Sequence, residues 1–305
     1  MSAANVDVVI PTLGRRPDML WEAVRSALVQ TGSNVGAVVI VVDDPDAECD
    51  VPAALSSPLI RVVRNLDRTA SARSVGVEHG DSPWVAFLDD DDLWEPDKLR
   101  KQFELTEAIE PSAAVIVSSR HSHRMDGPTG PPLPGRVIGG NQSVAEYLFH
   151  KRSPRANRPS LYTSSLLAPR ELCEQIGWRR IARHQDWDWL LRAERLAGAR
   201  LVQHPDVLVR IRVGSPGSIS RSPDWRSSLT WAQETLAPHV PAKLTADFLA
   251  SQTLRYALTA RSGDGTRSTL RAIRGTGAAP HPQSLMVGAA GLLPVSMIRR
   301  LLVRG

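Results

Sequence analysis

Two cysteines in 305 residues, Cys49 and Cys173, are too few and too far apart for a disulfide scaffold. Neither sits in the CxxC spacing of a zinc module, and a reducing cytoplasm is the compartment this implies. The chain has no run of roughly 18 uninterrupted apolar residues, the length a spanning helix needs. Its opening, MSAANVDVVIPT, lacks a basic stretch followed by a long apolar run, so no signal peptide is expected. Also missing is a glycine-rich turn after the first apolar segment. PTLGRRPDML holds a single glycine, where a dinucleotide-binding dehydrogenase needs GxGxxG and a sugar nucleotidyltransferase needs a glycine-rich, basic phosphate loop. There is no internal repeat and no long low-complexity segment.

The composition is that of a folded protein. At 42% hydrophobic residues the chain can bury a substantial core, which excludes disorder and collagen-like structure. Its length suits one large α/β domain with an appendage, or two small domains. The formal charge of +5 is unevenly spread. Residues 255–305 carry eight arginines against one acid, Asp264, for +7, whereas residues 1–254 hold 29 basic and 31 acidic groups, for −2. A basic tail on a neutral body does not indicate a nucleic-acid-binding core.

The first half alternates strand and helix signals. Strands are expected at 6–10, 37–42, 60–65, 84–89 and 113–119. Helices are expected at 17–30, where Pro17 suits the first turn and Leu20, Val24, Ala27 and Leu28 share a face, at 69–79, and at 96–109. This alternation predicts a doubly wound, mainly parallel sheet. Residues 125–140, with four prolines and five glycines, read as a mobile loop able to close as a lid. A helix is expected at 186–197, one or two strands at 199–213, and helical periodicity from Pro223 onward. These place a boundary near residue 220, with an α/β domain over 1–220 and a helical region over 221–305.

Three clusters bear on chemistry. Asp89-Asp90-Asp91-Asp92 lies at the end of an expected strand, where ligands bind in doubly wound sheets. Four adjacent carboxylates repel one another unless a cation is present, and hard oxygen ligands there suit Mg²⁺ or Mn²⁺ bridging a diphosphate. The alternative, an exposed acidic turn capping the next helix, normally uses one or two acids. Asp43-Asp44 ends another strand, either as an ordinary acidic turn or as an acceptor for a nucleobase N–H. In RHQDWDW (183–189), Asp186 and Asp188 open a helix, where acids are favoured anyway. A carboxylate walled by Trp187 or Trp189 would also be a partly desolvated base suited to a hydroxyl proton.

Together these segments resemble glycosyltransferase family 2 on a GT-A fold. VDVVIPTLGRRPDMLWEAVRSALVQ is similar to that family's opening strand, loop and helix, and VIVVDD to its second strand with the nucleotide-contacting acid. RTASARSVGVEHGDSPWVAFLDDDDLWEPDKL is similar to the segment leading into the DxD motif and the W-x-P-x-K-L after it. HQDWDWLLR resembles the later motif carrying the catalytic aspartate. The resemblance spans roughly residues 5–220, with four motifs in order.

It implies an inverting, metal-dependent transferase using a nucleoside diphosphate sugar. Pro11, Thr12, Asp44 and Arg68 would hold the nucleotide. Asp89 and Asp91 would be the DxD acids, Asp91 the more direct metal ligand, with Asp90 nearer the ribose or sugar. Asp186 would be the general base, with Asp188 supporting the helix N-terminus. The implied cofactor is Mg²⁺ or Mn²⁺ and the favoured donors are UDP- or dTDP-linked. The acceptor is a glycan, a lipid-linked molecule or a small molecule. Two positions depart from the family's pattern: Gln185 stands where a glutamate is usual, and RIRVGSPGSIS (210–220) lacks a histidine that some relatives offer the metal. The competing class is a catalytically silent scaffold in a glycan-assembly complex, against which the intact aspartates argue. The apolar stretch LMVGAAGLLPVSMI (285–298), followed by Arg299, Arg300 and Arg304, is too short to span a bilayer. It is expected either to dock on the protein or a second copy, or to touch a membrane surface.

Overall fold

The computed structural model describes residues 5–107, 109, 114–124, 130–140, 142–150, 159–213 and 222–293. Among them the chain forms an eight-stranded sheet in the order β3-β2-β1-β4-β7-β6-β8-β5. The strands are β1 (Asn5–Thr12), β2 (Asn34–Val42), β3 (Ile60–Arg64), β4 (Trp84–Phe87), β5 (Leu93–Trp94), β6 (Val115–Arg124), β7 (Leu167–Pro169) and β8 (Arg200–Arg212). β3, β2, β1 and β4 are mutually parallel, β7 is antiparallel to β4 and β6, and β8 is parallel to β6. The sheet is therefore mixed but mostly parallel, in agreement with the α/β expectation.

The central strands are what their residues dictate. Val6–Ile10 and Ala37–Val42 are buried throughout, and apart from Asp7 they carry the apolar, mostly β-branched side chains that a parallel strand covered on both faces needs. β3 lies at the edge and exposes Arg61 and Arg64 along with Val62, and the two arginines discourage pairing with another chain. Helix α1 (Pro17–Leu28) has proline in its first turn and buries Leu20, Ala23, Val24 and Ala27, a spacing of three and four that turns one face to the core. Helix α2 (Ala72–Glu78) packs so closely on the sheet that a Cβ on Gly76 would stand 2.3 Å from Val9 Cγ1. α3 covers Lys98–Glu107. Residues 69–71 stay outside α2 because Asp67 accepts from both the Thr69 amide and its hydroxyl, a local turn that competes with helix.

At the opposite end of β1 from the strand-end aspartates, Asp7 is buried. It accepts from the Ser82 amide and hydroxyl and pairs with Arg170, at 2.8, 2.7 and 2.6 Å. Arg170 opens α5 (Arg170–Ile176), so this ion pair ties that helix to the sheet. α6 covers Gln185–Ala197.

Several boundaries differ from those read in the sequence. β4 stops at Phe87, so Leu88 and Asp89 lie beyond the sheet. The expected strand at 113–119 is β6, which continues to Arg124. Residues 199–213 make the single strand β8, on which β5, unpredicted from two residues, pairs antiparallel. Of the loop 125–140, residues 125–129 lie outside the described ones. Leu133 pairs its backbone with His121 in both directions at 2.7 Å.

The chain divides into two units, residues 1–141, 160–180 and 185–215 in the first and 142–159, 181–184 and 216–305 in the second. The described part of the second is helical: α4 (Val144–Phe149), α7 (Trp225–Trp231), α8 (Ala242–Phe248), α9 (Leu254–Thr259), α10 (Gly263–Gly275) and α11 (Pro282–Ala289). α4 starts with a capping box of Ser143 and Glu146. Its aromatic core joins Phe149, Trp231 and Phe248, with His184 held at φ 62° against Trp231 and Phe248. Of the apolar tail stretch 285–298, residues 285–293 are described and the arginines after it are not. Among the described residues no helix is long and apolar enough to cross a membrane.

Candidate active site

Parallel strands deliver their carboxyl ends to one edge of a sheet, which is where β1, β2 and β4 bring the predicted residues together. Thr12 closes β1, its carbonyl accepting from the Asp43 amide at 2.8 Å, while its hydroxyl donates to Asp90 Oδ2 at 2.6 Å. Asp43 accepts from Asn65 and Arg180 at 2.7 and 2.8 Å and is thereby committed to the framework. Asp44 accepts from Arg15 at 3.1 Å. The Arg15 hydrogen bond, then the Asp46 amide, hold its carboxyl below the usual range, and Arg68 adds to this from nearby. Pro11 precedes Thr12 on β1 and is half-buried.

The four aspartates have four different surroundings. Asp89 pairs with Arg73 at 2.6 Å, and Asp91 with Arg16 at 2.5 Å. Asp90 is buried, with Arg16 on one oxygen and Thr12 on the other. Burial pushes its carboxyl up, against the opposing pull of Thr12 and Arg16. Asp92 accepts from the Ser164 hydroxyl at 2.5 Å and the Arg212 amide at 2.9 Å. Burial, then the charges of Asp89 and Asp91, raise it well above a normal carboxylate. Asp92 thus braces β8, and the other three acids face the arginines.

Arg73 joins the two halves of the site. One of its guanidinium nitrogens donates to Asp89 and another to Gln185 Oε1 at 2.8 Å, while the Trp178 ring lies 5.1 Å from its central carbon. Gln185 opens α6, so Asp186 in the first turn is drawn toward the acidic end of β4. Asp186 is half-buried. Burial raises its carboxyl, Asp89 adds to that, and Arg73 and a hydrogen bond with Thr163 oppose it. Trp189 is turned into the core, stacked on Trp178 at 5.0 Å.

Asp188 lies in the first turn of α6, as expected, and also reaches beyond it. It is buried and bonds Arg192 at 2.8 Å, whose other nitrogens reach the carbonyls of Ile176 and Gly177 at 2.5 and 2.7 Å. An acid one helical turn before a buried arginine neutralises it, and this pair anchors α6 to the end of α5. Gln185 in place of a glutamate gives Arg73 a neutral acceptor beside the carboxylate of Asp89. Of the stretch 210–220, Arg210 and Arg212 are described and residues 214–220 are not.

Among the described residues no group of three or more histidine, cysteine, aspartate or glutamate side chains could hold a metal ion by itself. Asp89 and Asp91 are each paired with an arginine, and Mg²⁺ or Mn²⁺ is commonly held by one or two carboxylates completed by substrate phosphates and water. Sequence reading overlooked Arg16, Arg73, Thr163 and Ser164. The two arginines sit inside quoted motif segments, in the loop after β1 and on α2. Thr163 and Ser164 lie in a short polar run with no sequence signal of its own.

The family model for glycosyl transferase family 2 matches residues 7–177. The amylovoran biosynthesis glycosyltransferase AmsB of Erwinia amylovora is 28% identical over 246 residues, covering 76% of this chain and 79% of that one. The succinoglycan biosynthesis protein ExoO of Rhizobium meliloti is 36% identical over 101 residues, 32% of this chain and 29% of that one. Among solved structures, residues 1–349 of S. aureus TarS in complex with UDP-GlcNAc superpose with a TM-score of 0.61 at 14% identity. That match covers 89% of this chain and 80% of that one.

Proposed function

The chain belongs to glycosyl transferase family 2, and we propose that it moves a sugar from a nucleoside diphosphate sugar to an acceptor hydroxyl in one inverting displacement. The observation that carries this reading is the bridge made by Arg73, which bonds both Asp89 beyond β4 and Gln185 at the start of α6. That bridge sets a carboxyl of raised basicity, Asp186, beside the acidic strand end expected to receive a diphosphate. Asp186 takes the proton of the attacking hydroxyl. Thr12, Pro11, Asp44 and Arg68 line the nucleotide side, and Asp90 lies toward the ribose or sugar. Arg16 and Arg73, already beside the carboxylates, offer guanidinium groups to the leaving diphosphate. Asp89 and Asp91 would hold Mg²⁺ or Mn²⁺, which supplies charge neutralisation to the departing phosphates.

The donor is read as UDP- or dTDP-linked, because Asp44, kept ionised by Arg15, can accept the N3–H of uracil or thymine. The neighbour TarS was solved with UDP-GlcNAc, which supports a uridine donor. The acceptor is read as a glycan, free or lipid-linked, in keeping with relatives named for amylovoran and succinoglycan biosynthesis. Exposed Leu285, Met286, Leu292 and Leu293 near the basic end of the chain support peripheral contact with a membrane, or with a second copy.

Calorimetric titration with UDP, dTDP and GDP, each with and without Mn²⁺, tests the reading together with release of free nucleotide from a panel of nucleotide sugars. Metal-dependent binding of UDP or dTDP, lost in Asp91→Asn, is expected. Tightest binding by GDP would overturn the donor assignment, and unaltered binding in Asp91→Asn would overturn the metal assignment.

A further inference from the structure

An apolar cleft of about 520 Å³ lies within the helical unit, between α10 and α7 with its continuation over 232–236. Leu229, Ala232, Leu249 and Ala272 give it an apolar wall, and Arg271 lines it as well. Two glycines of α10 account for its shape. At Gly265 the Trp225 ring comes so near that a Cβ would stand 2.7 Å from it, which closes the two helices at that end. At Gly275 a Cβ would meet nothing within 4 Å, so the cleft stays open where Gly275 lines it.

A stripe of positive charge runs along the same helix. Arg267, Arg271 and Arg274 are spaced i, i+4, i+7, which puts them on one face of α10, and all three are exposed. Gly265, Thr269 and Ile273 form the buried stripe on the opposite face. Leu270 is exposed among the arginines. Asp264 is the single acid of α10, and among the described residues no ion pair joins it or another carboxylate to the three guanidinium groups. Like charges at these spacings repel, so the stripe weakens the helix until an anion joins it. Arg274 suits the helix C-terminus by itself, but Arg267, near the other end, gains nothing from the dipole. An apolar cleft beside unneutralised cations matches an amphiphile with an anionic head and a hydrocarbon chain.

We propose that α10 binds an anionic phospholipid, its phosphate on Arg267, Arg271 and Arg274 and one acyl chain in the cleft. The inference deepens the reading of peripheral contact with a membrane and rests on that reading for the source of the ligand. Residues 255–305, with eight arginines against one acid, carry the charge that draws a chain to an anionic surface. What is added is a built site for one lipid, made by residues other than the exposed leucines and methionine of 285–293.

Calorimetry on the full chain with monomeric dihexanoyl phosphatidylglycerol, kept below its micelle concentration, tests the site. Dihexanoyl phosphatidylcholine and inorganic phosphate are the comparison ligands. Both are expected to bind at least about 10-fold more weakly, since neither supplies a net negative charge together with a chain. Changing Arg267→Gln, Arg271→Gln and Arg274→Gln together should lower the phosphatidylglycerol affinity by about 10-fold or more. Gly275→Leu should also lower it, because the new side chain takes the space of the acyl chain, while the open Cβ position lets the variant fold. UDP affinity stays at the wild-type value in both variants and reports that they are folded. Equal binding of the two lipids would overturn the role of the arginines, and unchanged binding in Gly275→Leu would overturn the role of the cleft. Phosphate binding as tight as phosphatidylglycerol would replace the lipid site with a bare anion site. Concentration-dependent dimerisation abolished by Gly275→Leu would give the cleft to a second copy instead. Sedimentation with phosphatidylglycerol vesicles but no binding of the monomer would overturn this inference and spare membrane contact. Binding of the monomer without sedimentation would do the reverse.

Discussion

Asp186 is pulled two ways. Burial and Asp89 favour its protonated form, and Arg73 and Thr163 favour the carboxylate. The net direction is upward, so Asp186 holds its proton to a higher pH than a free aspartate does. On the proposed role of Asp186 as the base, activity requires the deprotonated form and is lost as pH falls through that raised value. The acidic limb of kcat/KM is therefore expected above about 4, the ordinary carboxylate value, and a limb at or below it would contradict the assignment. Asp186→Asn should lower turnover by about 10²-fold or more with UDP affinity retained, as measured by steady-state kinetics and calorimetry. Its neighbour Asp188 should behave differently. Asp188→Ala strands the buried guanidinium of Arg192 and is expected to cost about 3–5 kcal/mol in denaturant unfolding. A stable Asp188→Ala protein that had lost turnover would reverse the two roles.

Helix α2 shows how an element carries a site residue. Its seven residues hold Arg73 toward Asp89 and Gln185, and Gly76 lies on the side that meets Val9 and Val41. A methyl at Gly76 meets Val9 Cγ1 at 2.3 Å and Val41 Cγ2 at 3.1 Å, so the helix must lift to admit it. Gly76→Ala is expected to destabilise by about 1–3 kcal/mol and to weaken UDP binding as Arg73 moves with its helix. Chemical denaturation and calorimetry check both halves. Unchanged stability would mean that the β1–α2 contact yields freely, which close-packed interiors seldom allow.

For the molecule as a whole, basic charge and exposed apolar surface fall in the same part of the chain. The chain carries +5 overall, with its basic excess beyond residue 254. The exposed Leu285, Met286, Leu292 and Leu293 lie in that same region. The membrane-contact alternative predicts co-sedimentation with anionic but not neutral vesicles at low salt, reversed by raising the salt, at about 1 kcal/mol of attraction per basic residue near the surface. Absence of sedimentation with anionic vesicles would leave this region to packing or self-association.

Elements whose stability is local were legible in the residues. The continuous β-branched runs of β1 and β2, the Pro17 start and apolar face of α1, and the span of α6 all follow from periodicity and capping, which act over a few positions. The acidic strand end was legible for a related reason, since adjacent carboxylates at such a place are costly without a counter-charge. Which counter-charge each acid meets was not legible. Arg16 and Asp91 are 75 residues apart, and Arg73 and Gln185 are 112 apart, and separations of that kind leave no periodic trace. The same holds for Asp92, which looks like its three neighbours in the chain but bonds Ser164, 72 residues away, and the Arg212 amide, 120 away. Four identical residues became framework, donor-side and ion-paired groups because folding put a different partner beside each. Local order sets which backbone segments can form, and the chemistry of each carboxyl is decided by what the chain brings back to it from a distance.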